Sequence, residues 1–318
     1  MFKKLFEMNH STPKMFIFLT LFGLLFTFTA SAQRPPIEGR WNLTIDQKGT
    51  PVPSWLEVRH SGYHTMVGQF VGSGGSARPI SQVFVNENNF HFSIPPQWEK
   101  GSDIIVAGKI NGDRISGTLV AANGEVYSWT GQRAPKLKRS KTPEWGQPIH
   151  LIKSNSLEGW STFGGENHWV VKDGVLSNPK SGANIKTNQK FEDFKLALEF
   201  RIPKGSNSGV YLRGRYEVQI TDSYGAEPEY DQLGAIYGFI TPIDLPAKPA
   251  GEWQKLEVTL IGRQVTVALN GKTIIHPQEI PGITGGALDS DEAAPGPLMI
   301  QGDHGAVEYR NIIITPAK

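Results

Sequence analysis

The chain has 318 residues, with 32 Lys and Arg against 30 Asp and Glu and only 19% charged residues; this suits about two domains and excludes the strong basic excess of a nucleic-acid binder. Cysteine is absent, which excludes disulfides, zinc-thiolate and iron–sulfur sites, a cysteine nucleophile and a cysteine-borne lipid anchor. The 35 Gly and 22 Pro suit many short strands joined by tight turns and exclude a chain of long helices.

Residues 1–32 read as an export signal. Lys3, Lys4 and Lys14 precede an apolar run over residues 15–29, followed by Ala30-Ser31-Ala32 as an A-x-A cleavage site. The run is shorter than the ~20 residues needed to cross a bilayer. Cleavage would remove three Lys and one Glu and leave a neutral chain. The expectation is a periplasmic or extracellular protein with no membrane span after cleavage.

Residues 33–133 read as a small antiparallel β-domain. Apolar and polar residues alternate over 41–45, 55–59, 82–85, 89–92, 104–106, 115–119 and 126–130. Asn111-Gly112-Asp113 and Asn123-Gly124 are hairpin turns. Such a pattern predicts about eight strands in an up-and-down barrel or a sandwich. The opening Gly39-Arg40-Trp41 is similar to the G-x-W start of lipocalin-type barrels. Residues 134–146, with Lys136, Lys138, Arg139 and Lys141 between two prolines, read as an interdomain linker.

The strand pattern resumes over residues 147–318. Leu196, Leu198, Phe200 and Ile202 point one way along a strand, and Lys195, Ala197, Glu199 and Arg201 the other. Residues 216–220 repeat this, with Glu217 and Gln219 opposite the apolar set. Further strands are expected over 253–261, 264–269, 298–301 and 307–314, and two packed antiparallel sheets accommodate them. One sheet would then have a free face carrying Glu199, Arg201, Glu217 and Gln219, flanked by Arg213 and Asp222. Acids and arginines on such a face suit sugar hydroxyls through bidentate hydrogen bonds, and paired carboxylates permit acid/base work. The competing reading is a solvated, salt-bridged face.

Gln301-Gly302-Asp303-His304-Gly305 places a histidine in a loop at a strand end, where it can be oriented toward a ligand; a turn histidine without a role is the alternative. His60, His64, His91, His150, His168 and His276 are scattered singly and read as structural or surface positions. Two acidic stretches, Asp289, Asp291 and Glu292, and Glu227, Glu229 and Asp231, offer oxygen ligands for calcium or another divalent metal but lack EF-hand spacing, so a metal requirement stays open. No phosphate-cradling loop, dinucleotide fingerprint or G-x-S-x-G elbow occurs.

Several blocks of the C-terminal half follow one another in a distinctive order: Phe191-Glu192-Asp193-Phe194, Leu198-Glu199-Phe200-Arg201-Ile202-Pro203, Asn207-Ser208-Gly209-Val210-Tyr211-Leu212-Arg213-Gly214, Tyr216-Glu217-Val218-Gln219-Ile220 and Gln301-Gly302-Asp303-His304-Gly305. Together, over about residues 147–316, they resemble the 3-keto-disaccharide hydrolase domain family. The resemblance implies an all-β fold, a concanavalin-like jelly-roll sandwich preceded here by the small β-domain. It implies action on glycosides oxidised at C3, by C2 proton abstraction, elimination of the C1 substituent and hydration. It implies Glu217, His304 and Glu199 as catalytic candidates, with Glu217 or His304 as the base. Arg201 and Arg213 would bind the carbonyl or enediolate oxygen, and Gln219, Asn207, Gln301 and Asp222 would bind substrate. The expected partners are an oligosaccharide or glycoside substrate and a separate sugar 3-oxidoreductase, which would make the ketone. A non-catalytic carbohydrate-binding protein is the alternative, because many sandwiches of this kind only bind sugars; an envelope interaction protein is a third.

Overall fold

The computed structural model describes residues 36–153 and 155–318; the predicted export signal lies outside the described residues. The architecture is all-β, with no helix among the described residues. Eight antiparallel strands come first: β1 (Gly39–Gln47), β2 (Thr50–Ser61), β3 (Thr65–Val71), β4 (Arg78–Asn86), β5 (Asn89–Ile94), β6 (Ile104–Asn111), β7 (Arg114–Val120) and β8 (Val126–Arg133). They follow one another around a closed barrel, and β8 pairs back onto β1. Closure leaves no unpaired edge. Alternate residues, among them Trp41, Leu56, Phe70, Phe92 and Trp129, fill the interior. Of the two arrangements that the alternating N-terminal pattern allows, a barrel or a sandwich, the chain adopts the barrel.

A concanavalin-like jelly-roll sandwich follows. Its strands are β9 (Ile149–His150), β10 (Trp160–Phe163), β11 (Val170–Lys172), β12 (Val175–Asn178), β13 (Asn184–Phe191), β14 (Phe194–Arg201) and β15 (Asn207–Leu212). After these come β16 (Tyr216–Thr221), β17 (Gln254–Ile261), β18 (Gln264–Leu269), β19 (Lys272–Glu279), β20 (Gly296–Ile300) and β21 (Val307–Pro316). One sheet has the order β10-β13-β20-β15-β16; the larger has β11-β12-β21-β14-β17-β18-β19, with β9 on β21. Apolar residues of the facing sides, such as Leu198 and Phe200 on β14 and Val218 and Ile220 on β16, form one core between the sheets.

The barrel and the sandwich share part of that core. Trp55 and Val71 face out of the barrel and join the sandwich interior, where Trp55 meets Phe239 edge-on with ring centroids 5.3 Å apart. Asn42 Nδ2 donates to the Ser290 carbonyl (2.9 Å), and Arg40 Nη1 to Glu279 Oε1 (2.6 Å). The connecting residues 134–146 lie on the sandwich: Arg139 Nε donates to Asp193 Oδ2 (2.7 Å), and Arg263 donates to the Pro135 carbonyl.

Candidate active site

The site begins with a hairpin. β15 and β16 pair so that Tyr211 lies opposite Glu217, Gly209 opposite Gln219 and Asn207 opposite Thr221. The two-residue period puts these six on one face, while Val210, Leu212, Tyr216, Val218 and Ile220 enter the core. The turn between the strands takes Arg213 and Gly214 through left-handed backbone, with φ of 52° and 67°. β20 runs beside β15 and leads into Gln301, whose N–H donates to the Gly209 carbonyl (2.9 Å). That contact brings the Gln301 side chain to the same spot.

Glu217 is the centre of this face. It is buried. Its Oε2 accepts from the Tyr211 hydroxyl (2.8 Å), which also lies 3.0 Å from the Gly285 carbonyl. Gln301 Nε2 donates to the same hydroxyl (3.2 Å). Tyr211 carries one proton, so the arrangement has two settings. When Glu217 is ionised, Tyr211 donates to it. When Glu217 is protonated, Glu217 donates to Tyr211, and Tyr211 donates to Gly285. Either charge state is therefore held in place without moving a heavy atom. Glu217 Oε1 points to where a side chain at Gly209 would begin: a Cβ there would stand 2.3 Å from Oε1 and 2.9 Å from Gln301 Oε1. The missing side chain leaves both oxygens room. Gln301 Oε1 is buried and has no hydrogen-bond partner, so a donor such as a sugar hydroxyl would relieve a real cost.

Burial pushes Glu217 up to about 8; the Tyr211 hydrogen bond and the positive charge of His304 pull against that rise, and Asp303 adds to it. His304 sits half-exposed on the loop after β20, with Nδ1 donating to Asp303 Oδ1 (2.6 Å). That hydrogen bond, opposed by partial burial and aided by the charges of Asp303 and Glu217, raises the His304 pKa. Burial alone would raise Asp303, but His304 and Asn184 bring it below the usual carboxylate range. Asn184 fixes the loop at both ends, donating to Asp303 Oδ2 (3.3 Å) and accepting from the Gly302 N–H (2.8 Å). The result is an enclosed carboxyl that holds its proton near neutrality beside a rim histidine biased toward its charged form. Such a pair can exchange protons with a bound molecule and stabilise a developing anion.

Five of the nine expected site residues therefore share this region: Glu217, Gln219, Asn207, Gln301 and His304. Four do not. Glu199 and Arg201 were expected on the same face as Glu217, but they lie on β14 in the larger sheet. There Glu199 accepts from Arg310 Nε (2.7 Å) and Asn311 Nδ2 (3.0 Å). Arg201 pairs with Glu308 and stacks on Trp253, its guanidinium 4.8 Å from the ring centroid. Arg213 is buried in the hairpin turn, donating to the carbonyls of Glu292 (3.2 Å) and Gly262 (3.1 Å) and to the Tyr216 hydroxyl (2.9 Å). Asp222 Oδ2 accepts from the Gly205 N–H (2.9 Å) and closes the turn before β15. Of the two acidic stretches considered for calcium, the one at residues 289–292 is occupied by arginines: Arg215 Nε donates to Asp289 (2.7 Å) and Arg263 Nε to the fully buried Glu292 (2.9 Å). Tyr211, Asp303 and Asn184 are members of the site that strand alternation alone does not single out.

Comparison with known proteins bears on this half of the chain. A family model described as the 3-keto-alpha-glucoside-1,2-lyase-like domain matches residues 147–315. A 3-keto-disaccharide hydrolase of Bacteroides thetaiotaomicron is 22% identical over 167 residues, 40% of this chain; the chain spans 57% of that relative's length. A candidate glycosyl hydrolase of Parabacteroides distasonis, known as a crystal structure, is 29% identical over 52% of this chain and 82% of its own, with a TM-score of 0.45. A second from the same organism is 26% identical over 53% and 98%, with a TM-score of 0.42.

Proposed function

The chain belongs to the 3-keto-alpha-glucoside-1,2-lyase-like family through residues 147–315, and from that membership we propose that it cleaves glycosides whose sugar carries a ketone at C3. The observation that supports this reading is the buried Glu217, with one oxygen held by Tyr211 and the other free beside Gly209. The ketone acidifies the C2 proton. Glu217 takes that proton at Oε1, and the C2–H electrons form an enediolate with its charge on O3. His304, oriented by Asp303 and with its pKa raised, offers its free ring edge to that charge. The electrons then return from O3, the C1–O bond breaks, and the departing oxygen takes the proton from Glu217. The products are a free aglycone and a sugar unsaturated between C1 and C2. Water then adds, oxygen to C1 and a proton to C2, and Glu217 returns to its starting state. A carboxylate raised toward neutrality is a stronger base than an ordinary one, which suits removal of a proton from carbon. Gln301 and Gln219 supply hydrogen bonds to sugar hydroxyls.

The N-terminal pattern of residues 1–32 supports export to the periplasm or the cell exterior, and the chemistry calls for a separate oxidoreductase that makes the ketone. The test is an assay of the purified chain with a 3-keto-glucoside and with the matching unoxidised glucoside. Turnover of the keto substrate alone supports the reading. Glycan binding without turnover of either would move the protein to the carbohydrate-binding class. In the same assay Glu199→Gln and Arg201→Gln are expected to stay within about twofold of the unmodified chain, since both are partly exposed residues on the other sheet. A large loss in either variant would contradict the placement of the site.

A further inference from the structure

We propose that the mouth of the barrel is a second binding pocket, which takes a planar aromatic aglycone on the leaving-group side of the substrate. The proposal rests on the reading of Glu217 as the reacting carboxyl. At one end of the barrel a cavity of about 350 Å³ opens between the strand ends. Ile45, Phe70, Ile104, Leu119 and Tyr127 give it an apolar and aromatic side, and polar side chains, among them Arg78, Glu99 and Lys100, share the lining. An eight-stranded barrel is just wide enough to be filled by side chains or to hold one small ligand near its mouth. Here the deeper interior is filled and the mouth is not. Trp98 stands at the rim and is 66% exposed. An exposed tryptophan beside that apolar side gives a flat ring a face to stack on.

The rim also touches the reaction site through close contacts. A Cβ on Gly75 would come within 2.8 Å of the Trp98 ring and 2.2 Å of Gln97 Oε1. A Cβ on Gly285 would come within 2.3 Å of the Gly75 carbonyl oxygen. Neither residue has one, so the rim loop and the sandwich loop lie backbone against backbone. Gln97 pins the rim further, accepting from the Ser76 N–H (3.2 Å) and donating to its Oγ (3.1 Å). The Gly285 carbonyl is in turn one of the three hydrogen-bond neighbours of the Tyr211 hydroxyl that holds Glu217. Trp98, Gly75, Gly285, Tyr211 and Glu217 thus form an unbroken run of contacts from the barrel rim to the carboxyl. The barrel then has a part in substrate choice, selecting the aglycone while the sandwich holds the oxidised sugar.

The test is calorimetric titration of the full chain with phenyl glucoside and with methyl glucoside, neither of which carries the ketone. The phenyl glucoside is expected to bind about tenfold more tightly, the scale of one aromatic stacking contact with its buried area. Trp98→Ala, and separately Ala121→Trp to fill the cavity, should each bring the phenyl glucoside to the methyl level and leave methyl glucoside binding unchanged. Thermal unfolding checks that both variants fold. Equal affinities in the unmodified chain, no measurable binding of the phenyl glucoside, or a preference that survives both variants would overturn the proposal. Since no turnover is required, a failure of the keto-sugar reading would show separately, as a preserved aromatic preference in a chain that does not cleave the keto substrate.

Discussion

Glu217→Gln is expected to lower turnover of a 3-keto-glucoside by about 10²–10⁴-fold, the usual worth of a positioned proton-transfer group. The amide keeps the size of the side chain and can still meet Tyr211, but it cannot take a proton from carbon. Substrate binding should change far less than the rate, because Gln219, Gln301 and His304 remain. In the unmodified chain kcat/KM should rise with pH about tenfold per unit below about 8, where Glu217 loses its proton. The same proton has a stability consequence of definite sign. The folded chain holds it up to about 8, whereas the unfolded carboxyl releases it near 4.5. The contribution is fully present below about 4.5 and is lost as pH rises through about 8. Glu217→Gln removes that dependence, so the variant should be the more stable chain at pH 9, by a margin on the order of 4 kcal/mol, and not at pH 4. Thermal unfolding at the two pH values reads this directly. Equal shifts at both would mean that Glu217 is not held protonated.

Glu292→Gln is expected to destabilise the fold by about 3 kcal/mol, the low end for breaking a buried ion pair, because Arg263 keeps Glu279 as its other carboxylate. Glu292 is fully buried, accepts from Arg263 Nε (2.9 Å) and from the Tyr216 hydroxyl (2.8 Å), and offers its carbonyl to Arg213. Arg263 also reaches Glu279 (3.3 Å) and the Pro135 carbonyl, and Glu279 accepts from Arg40 of the barrel. One carboxylate therefore neutralises the centre of a network that joins the hairpin turn beneath the site, the connecting segment and the barrel. The midpoint of thermal unfolding should fall on the order of 10 °C. Glu199→Gln, a partly exposed pair, should move it by no more than about 0.5 kcal/mol equivalent. An unchanged midpoint for Glu292→Gln would show that the network contributes little.

Much of the fold is legible in the sequence where strands alternate without interruption. Residues 194–202 and 216–220 do so, and both become strands with the expected faces. β3 is not legible because Gly68 breaks its alternation. A Cβ there would stand 2.1 Å from the Glu57 carbonyl oxygen, so the position takes no side chain. β6 reads only as the short stretch 104–106 for a similar reason: the Trp129 ring fills the space above Gly108, where a Cβ would come within 2.6 Å.

The site is legible only in part. Glu217 and Gln219 follow from the period of β16, and His304 from its loop. Glu199 and Arg201 share that period, but periodicity says which side of a strand a residue takes and not which sheet the strand joins. The crossing of the chain between β14 and β15 puts them on separate sheets. Arg213 is drawn away by its left-handed backbone and the carbonyls around it. Tyr211 becomes visible only through the register that sets it opposite Glu217, a fact of pairing that no single strand carries.

The most direct test of the central claim is the fate of the C2 hydrogen. A methyl 3-keto-glucoside turned over in D₂O, followed by proton NMR against an enzyme-free blank, should give 3-keto-glucose carrying deuterium at C2 in step with methanol release. Glu217→Gln should abolish both signals together. Methanol release with the C2 proton retained would mean direct hydrolysis at C1 and would contradict proton abstraction by Glu217.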